Sequence, residues 1–171
     1  MADIPAFSRQ ACHLCNFIHS IMLKVGDKAP DFKLKSDEGE NLSLKELKGK
    51  KVILYFYPKD MTSGCTKEAC DFRDSIKKFE KKNTVVIGVS ADNTASHQKF
   101  KDKYDLPFTL LSDETKGMLK DYGVWKEKSM YGRKYMGIVR TTYVIDEKGK
   151  IEKIFNKVKV DGHIDELLAG L

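Results

Sequence analysis

No stretch of this sequence approaches the roughly 20 apolar residues that a membrane-spanning helix needs. It also lacks internal repeats, low-complexity tracts and Pro/Gly/Ser-rich linkers. Neither a membrane-spanning helix nor a repeat architecture is therefore expected. Cysteine and proline are scarce, four of each, and tryptophan occurs once in 171 residues. Secreted disulfide scaffolds are smaller and denser in cysteine, so these four do not make a stapled domain. The length suits one domain with a substantial core. A basic stripe with interleaved aromatics is missing too. Lys plus Arg number 31 against 25 Asp plus Glu. Basic residues such as Lys77, Lys78, Lys101 and Lys103 are nevertheless spread among acidic neighbours. That distribution reads as a solvated surface, not a nucleic-acid face.

The beginning of the chain is set apart from the rest. Residues 1–21 are of mixed polarity, and Met22 opens "MLKVGDKAPDF", which reads as a fresh start. We therefore expect an N-terminal extension over 1–21 and one domain over 22–171. A secretory signal would need a basic n-region and a longer apolar core than "CNFIHSIM", so a cytoplasmic location is expected. Cys12-His13-Leu14-Cys15 is a CxxC. It reads as a redox pair, half a zinc site, or simply part of a poorly packed extension.

From Asp31 the pattern becomes regular. Asp31 to Lys35 and Asn41 to Leu44 alternate around Gly39 as a hairpin. "KELKGK" is a helical turn closed by Gly49. Val52 to Tyr57 is a strand buried on both faces. Ser63 opens a helix whose Ala69, Phe72, Ile76 and Phe79 share one face. "TVVIGVS" is the next buried strand, which makes a right-handed parallel unit. Thr94 to Tyr104 and Glu114 to Tyr122 read as helices, with a short extended segment, "FTLLSD", between them. Val124 to Gly137 reads as a polar loop. Ile138 to Asp146 and Ile151 to Phe155 read as an antiparallel hairpin, and Asp161 as the cap of a last helix. His97 and His163 sit on polar helical segments and are expected at the surface. The order is α/β and resembles a thioredoxin-like fold, with a mixed central sheet flanked by helices on both faces.

The chemistry concentrates in "YPKDMTSGCTKEAC", Tyr57 to Cys70. Cys65 falls in the first turn of a helix, where backbone N–H groups lack intrahelical partners and the macrodipole is positive. Both favour thiolate over thiol. Pro58 ends the strand, Gly64 lets the backbone turn, and Thr62 sets a hydroxyl three residues before the sulfur. Cys70 lies five residues on. An intact helix holds such a pair about 8.7 Å apart at Cα, whereas a disulfide needs less than about 7 Å. A staple inside the intact helix is therefore excluded. Cys70 is either an inert packed thiol or a partner that bonds Cys65 only when the helix unwinds. Lys67, Glu68 and Asp71 read as a polar outer face that lowers the cost of opening. Arg140 reads from the residues alone as either a strand arginine in a surface ion pair or a site residue.

Pro58-x-x-x-Thr62-x-x-Cys65 resembles the peroxiredoxin active-site motif. "GCTKEAC" and "MGIVRTTYVID" resemble the bacterioferritin comigratory protein, or peroxiredoxin Q, subfamily, and the similarity runs from about Leu23 to Leu171. The resemblance implies a thiol peroxidase that reduces hydrogen peroxide and organic hydroperoxides and takes electrons from thioredoxin or a similar dithiol. It puts Cys65 on the peroxidatic cysteine and Cys70 on the resolving one, joined in an intramolecular disulfide. Thr62 and Pro58 fall on pocket residues, Arg140 on the active-site arginine, and Glu68 on the glutamate that orients it. Met61 and Ser63 depart from the usual polar residue and proline. No cofactor or metal is implied, and a monomer or weak homodimer is expected. Two other functions use the same sulfurs: a redox-sensing or holdase protein, and a thiol–disulfide oxidoreductase working through Cys12 and Cys15.

Overall fold

The computed structural model describes residues 22–171; Cys12, Cys15 and the expected extension lie outside the described residues. Strands β1 (Lys33–Ser36) and β2 (Asn41–Ser43) form the expected hairpin and lead into a 3-10 turn at Leu44–Leu47. Then come β3 (Lys51–Phe56), α1 (Ser63–Glu80), β4 (Thr84–Ser90), α2 (Thr94–Tyr104) and β5 (Thr109–Ser112). The second half holds α3 (Gly117–Asp121), β6 (Trp125–Met130), β7 (Arg133–Ile138), β8 (Thr141–Ile145), β9 (Ile151–Phe155) and α4 (His163–Ala169).

Seven strands make the main sheet in the order β2-β1-β5-β4-β3-β8-β9. The strands β3, β4 and β5 run parallel, while β8 lies antiparallel to β3. This is the mixed sheet of the thioredoxin-like expectation. Alternation along β3 splits the core between the faces. Val52, Leu54 and Phe56 join Ile87, Leu119 and Tyr143 on one side. Ile53, Tyr55 and Tyr57 join Cys65, Phe72, Phe100 and Ile164 on the other. The first face is covered by α3, and the second by α1, α2 and α4. At Gly88 the sheet carries no side chain because Tyr55 lies over it: a Cβ there would sit 2.8 Å from the Tyr55 ring and from Leu110.

Several expectations fail locally, each for a physical reason. The polar loop over Val124 to Gly137 is instead the β6–β7 hairpin, a separate two-stranded sheet. Its residues are mostly exposed on both faces, so no apolar alternation marks them. Its two-residue turn, Tyr131 and Gly132, has φ of 51° and 74°, the double positive φ of a primed turn. Tyrosine is not a residue that signals such a turn. The third helix shrinks to Gly117–Asp121 because Asp113 accepts from the Leu119 N–H and the Thr115 hydroxyl and folds the preceding residues into a turn. Asp161 does not cap α4. Gly162 occupies the cap at φ 78°, and Asp161 pairs with Lys67 of α1 at 3.0 Å.

Candidate active site

Strand β3 ends at Phe56, and the chain crosses from the sheet to α1 through Tyr57–Thr62. Pro58 stands half-buried at this exit. Thr62 takes the N-cap position of α1 with extended backbone angles, and the first helical hydrogen bond runs from the Thr66 N–H to the Thr62 carbonyl. The N–H groups of Ser63, Gly64 and Cys65 precede it and have no intrahelical acceptor. Cys65 is thus in the first turn, as expected, with only 2% of its surface exposed.

Arg140 reaches this sulfur from a distant part of the chain. The β3–β8 register pairs Phe56 with Thr141, so the residue before β8 stands beside the exit of β3. Arg140 was expected inside a strand from Ile138 to Asp146. Instead β7 stops at Ile138 and β8 starts at Thr141. The Val139 N–H donates to the Val124 carbonyl and the Arg140 carbonyl accepts from the Val158 N–H; these bonds hold Arg140 at a junction. Its Nη2 donates to Cys65 Sγ at 3.3 Å. Its Nη1 donates to Glu68 Oε2. Burial works against the arginine charge, but Glu68 and Cys65 outweigh it and hold the guanidinium above its ordinary range. Burial also pushes the Glu68 carboxyl up to about 7, against the pull of Arg140. Glu68 Oε1 is buried without a hydrogen-bond partner among the described residues.

Glu68 therefore does not belong to a polar outer face. It is 1% exposed and points inward, leaving Lys67 and Asp71 to make the outer ion pair at 3.0 Å. Gly64 makes no sharp turn: it lies within α1 without a positive φ, and a Cβ there would stand in ordinary contact with Arg140 Nη2, at 3.4 Å. Thr62 is exposed and its hydroxyl donates to the Lys59 carbonyl at 2.9 Å, not to the sulfur. Cys70 is half-buried farther along α1, and among the described residues both Cys65 and Cys70 are free thiols. Geometry brings together Cys65, Arg140, Glu68 and Gly64, and keeps Cys70 apart within an unbroken helix.

Residues 25–154 match the AhpC/TSA family model. The chain belongs to that family. Its similarity to a putative peroxiredoxin bcp of Coxiella burnetii is 57% identity over 149 residues, 87% of this chain and 99% of the relative. Peroxiredoxin Bcp of Bacillus subtilis is 50% identical over 87% of this chain and 95% of its own length. Among solved structures, a cysteine-to-serine mutant of Xylella fastidiosa PrxQ aligns with a TM-score of 0.82 at 34% identity. That alignment covers 86% of this chain and 94% of the other. Bacterioferritin comigratory protein of Xanthomonas campestris, described for its alkyl peroxide reduction activity, aligns at 0.77 and 37% identity over 81% and 88% of the two chains. The resemblance to peroxiredoxins carried by Pro58, Thr62 and Cys65 is thus borne out, as is the thioredoxin-like fold. Within this peroxiredoxin no helix among the described residues is long and apolar enough to cross a membrane.

Sequence reasoning missed one cluster beside the site. His97 and His163, expected at the surface, are both buried. His163 shares the inward face of α4 with Ile164 and Leu167, lies against the Phe72 and Phe155 rings, and meets the Thr142 hydroxyl at 2.9 Å. His97 shares the inward face of α2 with Phe100. Its Nδ1 meets Asp60 Oδ2 at 2.8 Å. Asp60 lies within the Pro58–Thr62 segment, where the three motif residues drew attention away from it. The three-residue spacing of His97 and Phe100 was the available signal that this histidine turns inward.

Proposed function

We propose that this peroxiredoxin reduces hydroperoxides through Cys65. The thiolate attacks the nearer peroxide oxygen; the S–O bond forms as the O–O bond breaks, and the departing oxide takes a proton to leave as water or alcohol. Cys65 is left as a sulfenic acid. The guanidinium of Arg140 and the free N–H groups of the first turn stabilise the thiolate and the charge that develops along the S–O–O line. Thr62 offers its hydroxyl oxygen and Pro58 a rigid wall at the pocket. The Cys70 thiol then displaces water from the sulfenic acid and forms the Cys65–Cys70 disulfide. A dithiol protein of the thioredoxin class returns both to thiols by exchange. Residues 22–171 form the working domain.

The observation that carries this reading is the Arg140 Nη2 donor 3.3 Å from the sulfur of a buried first-turn cysteine. The test measures peroxide consumed by reduced protein. Cys65→Ser is expected to consume none. Cys70→Ser is expected to consume one equivalent and stall as sulfenic acid. A Cys65→Ser protein that consumes peroxide at the parent rate would overturn the assignment.

A further inference from the structure

Asp60 sits two residues before Thr62 and is almost fully buried, yet it belongs to the segment that carries the site. Its N–H and both carboxylate oxygens are engaged. Tyr57, at the exit of β3, donates its hydroxyl to Asp60 Oδ1 at 2.6 Å. From α2, Ser96 donates its hydroxyl to Oδ2 at 2.7 Å and His97 Nδ1 lies 2.8 Å from the same oxygen. The Asp60 N–H donates to Asp92 Oδ2 at 2.8 Å. His97, 0% exposed, turns its other nitrogen, Nε2, to the Leu111 carbonyl of β5 at 3.0 Å.

A carbonyl only accepts, so His97 Nε2 carries a proton. Asp60 is ionised: burial pushes its carboxyl up, but the bonds from His97, Tyr57 and Ser96 and the histidine charge together bring it below the ordinary range. A buried carboxylate is costly unless it is hydrogen-bonded; here Oδ1 accepts from the Tyr57 hydroxyl and Oδ2 from the Ser96 hydroxyl, with His97 Nδ1 against the same oxygen. Immediately after Asp60, Met61 adopts φ 64°, a left-handed conformation that is strained for a residue other than glycine. Something outside the segment must hold it there.

We propose that Asp60 and His97 are positioning residues for the peroxide-reducing step, clamping the segment before Cys65 onto α2 and β5 so that Thr62 starts α1 where its first turn sets Cys65 beside Arg140. The proposal rests on the reading of Cys65 given above. The clamp acts on Cys65 only through Met61 and Thr62. It also lies outside the stretch from Cys65 to Cys70, so it stays put when α1 opens and gives the first turn a fixed base on which to reclose.

The test uses the full chain, reduced, with hydrogen peroxide, and follows sulfenic acid and disulfide by rapid quenching and mass spectrometry. Asp60→Asn and His97→Gln are each expected to lower the rate constant for Cys65 oxidation ten- to hundredfold, the loss expected from a misplacement of about 1 Å. Disulfide formation from the sulfenic acid should change less than threefold. The double variant should be no slower than the slower single variant, because the two residues act as a unit. Adding Met61→Gly to Asp60→Asn should recover at least threefold, since glycine accepts the left-handed φ without help. Near-UV circular dichroism at the assay temperature corrects each rate for folded fraction, and if Asp60→Asn does not fold, His97→Gln and Ser96→Ala carry the test. Rates per folded molecule within twofold of the parent, or no recovery by Met61→Gly, overturn the proposal. Residual oxidation by Cys65→Ser would instead overturn the underlying assignment of the sulfur.

Discussion

Individual side chains decide the electrostatics of this site. Arg140 donates to a thiol on one side and a carboxylate on the other, so it is fixed by Glu68 and directed at Cys65. Arg140→Met keeps much of the packing volume and removes the charge. Its expected effect is a fall of two to three orders of magnitude in the rate of Cys65 oxidation, the usual scale for deleting a donor to developing charge. Rapid-quench kinetics on the reduced protein check this, and a loss below fivefold would contradict it. Glu68 gives a pH signature. Its carboxyl is raised from 4.5 to about 7 in the fold by burial. A group with a raised folded value contributes stability in full below its unfolded value and loses it as pH rises through the folded one. Between about pH 4.5 and pH 7 the parent should therefore lose on the order of 3 kcal/mol that Glu68→Gln does not lose. Urea unfolding of both proteins at pH 4.5 and pH 8 measures the difference, and parallel pH profiles would sink it.

At the scale of an element, the proposed Cys65–Cys70 disulfide gives α1 two tasks that conflict. Closed, it presents Cys65 to Arg140 and buries Ala69, Phe72 and Phe79 against the sheet. Open, it must bring two sulfurs together across about 8.7 Å of helix. Glu68 lies between the cysteines, so unwinding that joins them also draws Glu68 away from Arg140. The Lys67–Asp161 pair, which ties α1 to the start of α4, lies in the same stretch. Amide hydrogen exchange on peroxide-treated protein is expected to lose protection over Ser63 to about Asp71 and at the start of α4, while β3 and β4 keep theirs. Uniform protection in the oxidised form would exclude the intrahelical disulfide. The sheet tolerates less. Gly88→Ala sets a methyl 2.8 Å from the Tyr55 ring and should cost about 1–3 kcal/mol through overpacking, read from the denaturation midpoint.

At the scale of the molecule, the described residues, 22–171, hold a seven-stranded main sheet with both faces covered. A chain starting at Met22 is expected to melt within about 2 °C of the full chain, a shift that corresponds to about 0.5–1 kcal/mol, and to turn over peroxide at the same rate. A lower rate at unchanged melting temperature would give residues 1–21 a function. Much of this architecture was legible in the sequence. The β3–α1–β4 unit and the β8–β9 hairpin announced themselves through continuous β-branched runs and the inward stripe of Ala69, Phe72 and Phe79. Cys65 was legible because one local motif fixes it. Arg140 was reached through the family resemblance, since its contact spans 75 residues and no local pattern records it. The β6–β7 hairpin escaped because nothing buries either of its faces. His97 and Asp60 escaped for the opposite reason: polar residues read as surface unless their partners are known, and theirs come from β3, α2 and β5.

That 75-residue separation between thiol and guanidinium has a consequence for biosynthesis. A nascent chain carries Cys65 and its helix long before the arginine has been translated, and β8 must pair with β3 before the two can meet. Non-local pairing of this kind is slow relative to helix formation. The sulfur should therefore spend the chain's infancy without the charge that activates it. In refolding from urea, helical signal is expected to return first, and rapid consumption of peroxide only with the later phase that pairs β3 and β8.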